Sequence, residues 1–336
     1  MLIYLRYLLR RLAIFASTIF LSITIVFVVP RLVPGEPLDA MFLKLSNVGA
    51  SAGASELVAE YRRLFGLDKS IGEQYVSYLR ELARGNLGYS IGSFPSRVSD
   101  LLRTSLPWTI GLLTVTTLVS WAVGSLLGAI GGWKGNRSWV FRGLVPVALV
   151  LYTTPYYILA IILLFLFAFY FKIFPLAGAY SVGVRPALSL DFILDVIHHS
   201  ALPGLSIVLV SLGSWFLGMR SLIVNLKDED YILQAEAKGL AERRILWAYA
   251  FRNALLPQVT GLAISLAHTV EGALITEVIF AYPGIGWLIY NSIKSLDFPT
   301  IQGCVLLIVF AVATANLIID LVYPIIDPRI RQGERR

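Results

Sequence analysis

Cysteine is almost absent from this 336-residue chain. Cys304 is the only one, so no intrachain disulfide can staple the fold. Charge is scarce too, at 15% of residues against 57% hydrophobic; together with a mean hydropathy of +0.74, this excludes an ordinary soluble domain. No G-x-x-x-x-G-K-[ST] occurs, which removes the phosphate-cradling loop through which such a chain would hydrolyse ATP itself. H-E-x-x-H is missing as well: His198-His199 has no matching Glu and His268 has no adjacent nucleophile motif, which argues against an intramembrane hydrolase. The chain shows no repeat of about three spans, the internal symmetry that a self-contained secondary transporter would display. After the first apolar run comes Pro30-Arg31-Leu32-Val33-Pro34 instead of a small-x-small cleavage site, so that run reads as a retained helix and not as a signal peptide.

What the chain does have is long apolar runs. Six of them reach the roughly 17–25 residues needed to cross a hydrocarbon core: Leu12–Val29, Leu106–Gly131, Gly143–Phe171, Pro203–Val224, Leu255–Ala281 and Gly303–Ile326. The expected fold is an all-α polytopic membrane protein, with the third and fifth spans long enough to tilt. Lys and Arg concentrate at Arg6, Arg10 and Arg11, at Lys134, Arg137 and Arg142, at Arg220, Lys227, Lys238, Arg243, Arg244 and Arg252, and in the tail at Arg329, Arg331, Arg335 and Arg336. By the positive-inside rule both termini are expected in the cytoplasm. The net charge of +7 then reflects topology and anionic lipid rather than nucleic acid, and the expected location is the cell membrane.

The expected organisation is a first transmembrane helix over residues 1–30, an extracytoplasmic loop or helical cap over 31–105, a five-helix core over 106–326 and a cytoplasmic tail over 327–336. Within the cap, Ser55 to Leu67 has a Ser N-cap, helical apolar spacing and a Gly stop, and a second helix is expected from Ile71 to Arg84, ended by Gly85-Asn86-Leu87-Gly88-Tyr89. Gly49 to Ser55 is a run of small residues suited to a flexible linker.

The most informative segment runs from Asp228 to Pro257, a charge-dense insertion between two spans. Asp228, Glu229 and Asp230 suit the positive end of a helix through Ala235. Gly239 is expected to break it, and a second helix from Ala241 toward Asn253 leads into the fifth span, with Pro257 at its entry. A plain connector needs only a few polar residues, so this segment reads as a docking knob for a soluble partner that moves the spans beside it.

Ionisable residues within spans are candidate functional groups, because charge in hydrocarbon costs about 2.5–3.5 kcal/mol on insertion scales. His268 and Glu271 share a helix face and either line a hydrated solute path or satisfy one another. Glu277, six residues past Glu271, points elsewhere. Arg220, at the inner end of the fourth span, reads as snorkelling. Gly124-Ser125-Leu126-Leu127-Gly128 is a close-packing GxxxG, either within the chain or with a second membrane-spanning chain. Tyr152, Tyr156, Tyr157, Phe169, Tyr170 and Phe171 read as interfacial aromatics. Asn136-Arg137-Ser138 fits a glycosylation sequon but falls on the predicted inner side.

Tyr231, Ala235, Ala237-Lys238-Gly239-Leu240 and Asn253-Ala254-Leu255-Leu256-Pro257 resemble the EAA-type coupling loop of ABC importer permeases, in the form found in the dipeptide/oligopeptide branch. Gly85-Asn86-Leu87-Gly88-Tyr89-Ser90, Pro107-Trp108-Thr109, Phe174-Pro175-Leu176-Ala177-Gly178, Glu277-Val278-Ile279-Phe280, Pro283-Gly284-Ile285-Gly286, Asn316-Leu317, Asp320, Tyr323 and Asp327-Pro328-Arg329-Ile330-Arg331 are similar to that family's other motifs, in order along essentially the whole chain. The resemblance, to the first-permease (B-type) members, implies a type I ABC importer (MetI-like) core and no catalytic or metal-ligating residues. It implies ATPase coupling through Tyr231, Ala235, Glu236, Ala237, Lys238, Gly239 and Leu240, and structural or gate roles for Glu277, Pro283, Gly284, Gly286, Asn316 and Asp320. The partners it implies are a second homologous permease, two ATPase subunits that bind the ATP and Mg, and an extracellular solute-binding protein. Expected cargo is di- or oligopeptide, with oligosaccharides and nickel complexes known in the same branch. Two departures stand out. The acidic first position of the general EAA pattern falls on Leu233 and the next position on Gln234, leaving Ala235 as the only direct match, and Leu296-Asp297 replaces the family's usual Arg-Asp.

Overall fold

The structure, a computed structural model, describes residues 2–32, 60, 62–63, 66–184, 186–187, 189–267 and 274–326. Every regular element among them is helical. Four helices are long and apolar enough to cross a membrane, and a bent pair would make a fifth. The fifth expected span, Leu255–Ala281, includes residues outside the described set, as do most of the 55–67 helix and the tail. Contacts divide the chain into two compact units, Met1–Trp108 with Gly284–Arg336 and Thr109–Pro283.

In the first unit, α1 (Leu2–Leu32) packs along α12 (Phe298–Ile326). Phe15 meets Phe310 edge-on at 6.2 Å between ring centroids, and the Gln302 amide donates to the Val26 carbonyl at 3.3 Å. The cap helix α2 (Ile71–Ala83) starts at Ser70 with a complete capping box: Glu73 N–H bonds the Ser70 side chain while the Glu73 carboxylate accepts from Ser70 N–H. That is the helix expected from Ile71. It lies beside the end of α1, where Phe27 packs against Tyr75 and Tyr78 and Gln74 accepts from Arg31 at 3.0 Å. A further cluster joins Val98 and Leu102, in the first turns of α3 (Val98–Lys134), to Ile285 of α11 (Ile285–Lys294) and Cys304 of α12. Gly303 is required there, since a Cβ would come 2.5 Å from Val98 Cγ1.

In the second unit, α6 (Leu190–Leu226) is flanked by α3 and by α4 (Trp139–Thr153). Gly124 and Gly128 both face α6: a Cβ at Gly124 would lie 2.6 Å from Trp215 Cβ, and one at Gly128 would lie 2.5 Å from the Phe216 carbonyl oxygen. The GxxxG therefore brings two helices of this chain together, and Gly132, whose Cβ would be 2.9 Å from the Arg220 carbonyl, extends the seam by another turn. On its other side Gly213 gives α4 the same closeness, 2.6 Å from the Ala148 carbonyl.

The third expected span, Gly143–Phe171, is not one straight helix. α4 stops at Thr153, and α5 (Tyr156–Leu163, widening to π-helix over Leu164–Tyr170) leaves at 102°. Pro155 causes the break: it has no N–H to continue the ladder, and it drives Thr154 out of helical geometry, to φ −83°, ψ 125°.

Candidate functional site

The insertion folds as a helical knob on a buried cluster shared with two of the long helices. Beyond α6, α7 (Asp230–Ala237) begins with an acid in its first turn, which suits the positive end of the helix dipole. It ends as expected at Gly239, whose φ of +73° is left-handed and whose N–H bonds the Glu236 carbonyl at 2.9 Å. No atom lies within 4 Å of where a Cβ would sit at Gly239, so the backbone angle, not space, requires glycine. After Ala241 the chain turns into α8 (Glu242–Arg244), passes through a π-helical stretch at Ile245–Phe251, and enters α9 (Arg252–Ala267). Pro257 therefore sits inside a helix rather than at its start.

Periodicity divides α7 into two faces. Ile232 and Ala235, three residues apart, are buried with Ile245, Leu246, Ala250 and Ala254 from the returning segment, and with Ala129 of α3 and Met219 and Ile223 of α6. Tyr231 and Leu240 pack at the edge of the same cluster. Turned outward are Leu233, 50% exposed, and Gln234, Glu236, Ala237 and Lys238, with Gly239 at the tip. Of the seven expected coupling residues, then, Tyr231, Ala235 and Leu240 face the chain's own core, and Glu236, Ala237, Lys238 and Gly239 face out. Leu233 and Gln234, noticed in the sequence only as departures from the family pattern, belong to the outward face.

The base of the knob is tied to the adjoining ends of its neighbours. Lys227 donates to the Trp133 carbonyl and its ammonium lies 5.2 Å from the Trp133 ring centroid. Burial, then the nearby Arg137, lower its pKa from the usual lysine value. Arg137 meets Glu242 at 3.8 Å with both side chains exposed, a pair worth about 0–1 kcal/mol.

Glu277 lies in α10 (Leu274–Ile279), fully buried, and accepts from the Thr109 hydroxyl at 2.7 Å. Immediately beyond, Gly178 N–H donates to the Phe280 carbonyl at 2.9 Å and Tyr282 OH meets Ser200 Oγ at 3.0 Å. Two motifs far apart in sequence, Phe174–Gly178 and Glu277–Phe280, thus meet at one place in the second unit. Pro283 is half-buried, Gly284 and Gly286 are buried, and Gly284 is the N-cap of α11. Asp320 pairs with Arg11 at 2.8 Å, and its carbonyl accepts from Tyr7 OH at 2.9 Å. Asn316 is exposed on α12. His268 and Glu271 lie outside the described residues.

One buried acid was missed as a site. Asp297 accepts from Ser90 Oγ, from Ile91 N–H at 3.0 Å, and from Thr300 through its hydroxyl at 2.7 Å and its N–H at 3.4 Å. Its carboxylate is the anchor that fixes the Gly85–Ser90 motif. The available signal was the pairing of a lone acid after a helix end with a Thr three residues on.

Comparison with known proteins adds to this geometry. Residues 124–332 match the family described as "Binding-protein-dependent transport system inner membrane component". A putative peptide permease protein of Brucella suis biovar 1 (strain 1330) is 31% identical over 97% of this chain and 99% of its own length. A di/tripeptide transport system permease protein of Pseudomonas aeruginosa (strain UCBPP-PA14) is 30% identical over 96% and 97%. A probable D,D-dipeptide transport system permease protein of Escherichia coli (strain K12) is 32% identical over 92% of both.

Proposed function

Because the chain belongs to the family of binding-protein-dependent transport system inner membrane components, we propose that it is the membrane-spanning permease of an ATP-driven importer of di- or oligopeptides. The observation that carries the coupling mechanism is the two-faced α7, whose outward residues are exposed while its inner face shares one buried cluster with α3 and α6. Two separate ATPase subunits bind ATP and Mg and dock on Leu233, Gln234, Glu236, Ala237, Lys238 and Gly239. A second homologous permease completes the pathway, and an extracellular solute-binding protein delivers the cargo. Closure of the ATPases displaces α7 as a rigid body and, through the shared core, the ends of α3 and α6. In this reading the chain has six spans with both termini in the cytoplasm, an orientation supported by the Lys and Arg pattern, and the knob faces the ATPases. His268 and Glu271 are the candidates for the solute path, carried by their spacing in the sequence. Glu277, Pro283, Gly284, Gly286, Asn316 and Asp320 hold helix ends and the outer gate.

Peptide is favoured as cargo because the relatives that align over nearly the whole chain are named for peptide or dipeptide transport. The test is to purify the intact complex, identify its subunits and measure which solutes, presented with the binding protein, stimulate ATP hydrolysis. Stimulation by dipeptides or oligopeptides is expected. The absence of a co-purifying ATPase would sink the coupling mechanism, and stimulation by oligosaccharides alone would reassign the cargo.

A further inference from the structure

A cavity of about 180 Å³ opens where the end of α3, the start of α4 and the last turns of α6 converge. Gly131 and Gly135 form one wall, Phe141, Arg142, Val145 and Pro146 a second, and Arg220 the third. No acid lines it. Among the described residues neither the Arg142 nor the Arg220 guanidinium has a hydrogen-bond or ion-pair partner; Arg142 is exposed, and of the acids in the neighbouring insertion Glu242 is engaged by Arg137.

Arg220 is half-buried and lies within the apolar stretch of α6, near the end that carries Lys227. A guanidinium at that depth is costly unless an anion or water compensates it. It lines the same opening as the exposed Arg142, so the two guanidiniums share one space. The space is several times the ~30 Å³ that a water occupies in the liquid, enough for a tetrahedral oxyanion. Two guanidiniums supply the planar, multi-donor recognition that phosphate oxygens accept. Ser138 caps α4 without a side-chain bond, so the first-turn amides of that helix add donors at the same end. Trp139, 78% exposed, and Trp133 mark this level as an interface between hydrocarbon and headgroups.

We propose that the cavity between α3, α4 and α6 is a binding site for a phosphate-bearing anion, held by Arg142 and Arg220. The phosphodiester of an anionic phospholipid is the favoured source, because the apolar wall of Phe141, Val145 and Pro146 continues the surface an acyl chain would cover. A soluble phosphate compound offers the same headgroup chemistry. Either occupant would sit beside the Trp133–Lys227 contact at the base of the coupling knob.

The test uses the full-length chain purified in detergent. Wild type, R142Q/R220Q, R142K/R220K and R137Q are each exchanged against phosphatidylglycerol or phosphatidylcholine, and retained lipid is counted by native mass spectrometry. In parallel, thermal shifts are recorded with millimolar inorganic phosphate. Wild type and R137Q should retain phosphatidylglycerol over phosphatidylcholine, and R142Q/R220Q should lose that preference by about a hundredfold, a decade for each of the two lost charge-assisted contacts. R142K/R220K should recover part of it, which separates loss of the site from loss of the fold. A phosphate-dependent thermal shift that vanishes in R142Q/R220Q, without any lipid preference, supports the site and assigns it to a soluble ligand. Equal lipid retention and equal thermal response in wild type and R142Q/R220Q overturn the proposal. Retention in detergent reads the cavity whichever leaflet it faces, so the outcome is independent of the proposed topology and of ATPase docking.

Discussion

Leu233→Ala and Ala235→Leu are two residues apart on α7 and should have opposite signatures. Leu233 is half exposed, and full burial of a Leu side chain is worth about 1.5–3 kcal/mol, so truncation should cost the isolated permease under about 1.5 kcal/mol. When an ATPase covers the outward face, the remaining exposed half becomes interface, and its loss should weaken assembly by about 1 kcal/mol or more, roughly fivefold to tenfold in affinity. Ala235 is 3% exposed, among Ile232, Ile245, Leu246, Ala250 and Ala254. Three added carbons have no room there, and overpacking of this kind costs about 1–3 kcal/mol. The assay pairs thermal unfolding of each purified permease with titration of its ATPase partner in nanodiscs. Leu233→Ala should melt like wild type and bind more weakly, while Ala235→Leu should melt earlier. If Leu233→Ala bound with unchanged affinity while Ala235→Leu abolished assembly without any loss of thermal stability, the assignment of faces would be wrong.

Gly239→Asn should be tolerated, because Asn visits the left-handed region; Gly239→Val should uncouple ATP hydrolysis from uptake, a contrast read by vesicle transport with the hydrolysis rate alongside. Asp297→Ala orphans donors from Ser90, Ile91 and Thr300, each worth about 1–3 kcal/mol when buried; limited proteolysis should then cut between Gly85 and Arg97, and resistance equal to wild type would count against the anchor. Gly128→Leu forces a side chain against the Phe216 carbonyl and Met219 and should reduce folded yield on size-exclusion chromatography, whereas the same change at Gly143, which has open space, should not. The Ser70 bonds hold the Glu73 pKa below the usual carboxylate value; that stabilisation is present above the unfolded pKa and lost as pH falls through the folded one, so the protection of amides at the start of α2, relative to the intrinsic exchange rate at each pH, should fall only in acid.

Much of the architecture was legible because its causes are local. Ser70 and Glu73 announce a capping box within four residues, and Gly239 ends α7 by an angle that only its own backbone sets. Span lengths follow from composition summed over about 20 residues. What escaped was either a single-residue override or a contact between distant segments. Thr154-Pro155 bends the third span inside an uninterrupted apolar run, where hydropathy is blind to a missing N–H. The meeting of Gly178 with Phe280, and of Ser90 with Asp297, spans 102 and 207 positions, and no periodicity reports such pairings. The replacement before Asp297 looked like a lost charge, yet the carboxylate that does the anchoring was retained.

The two faces of α7 also explain why the EAA resemblance could be strong while its acidic first position was absent. A small residue at 235 is set by this chain's own core: Ala235 must let Ile245 and Ala250 approach, whatever the partner is. Residues 233 and 234 point outward, so their chemistry answers to the surface they meet rather than to the fold. With an apolar Leu233 at the acidic position of the pattern, the proposed ATPase docking reads as an apolar contact there rather than a carboxylate one. The constraint that fixes the motif and the constraint that tunes the partner act on different sides of the same short helix.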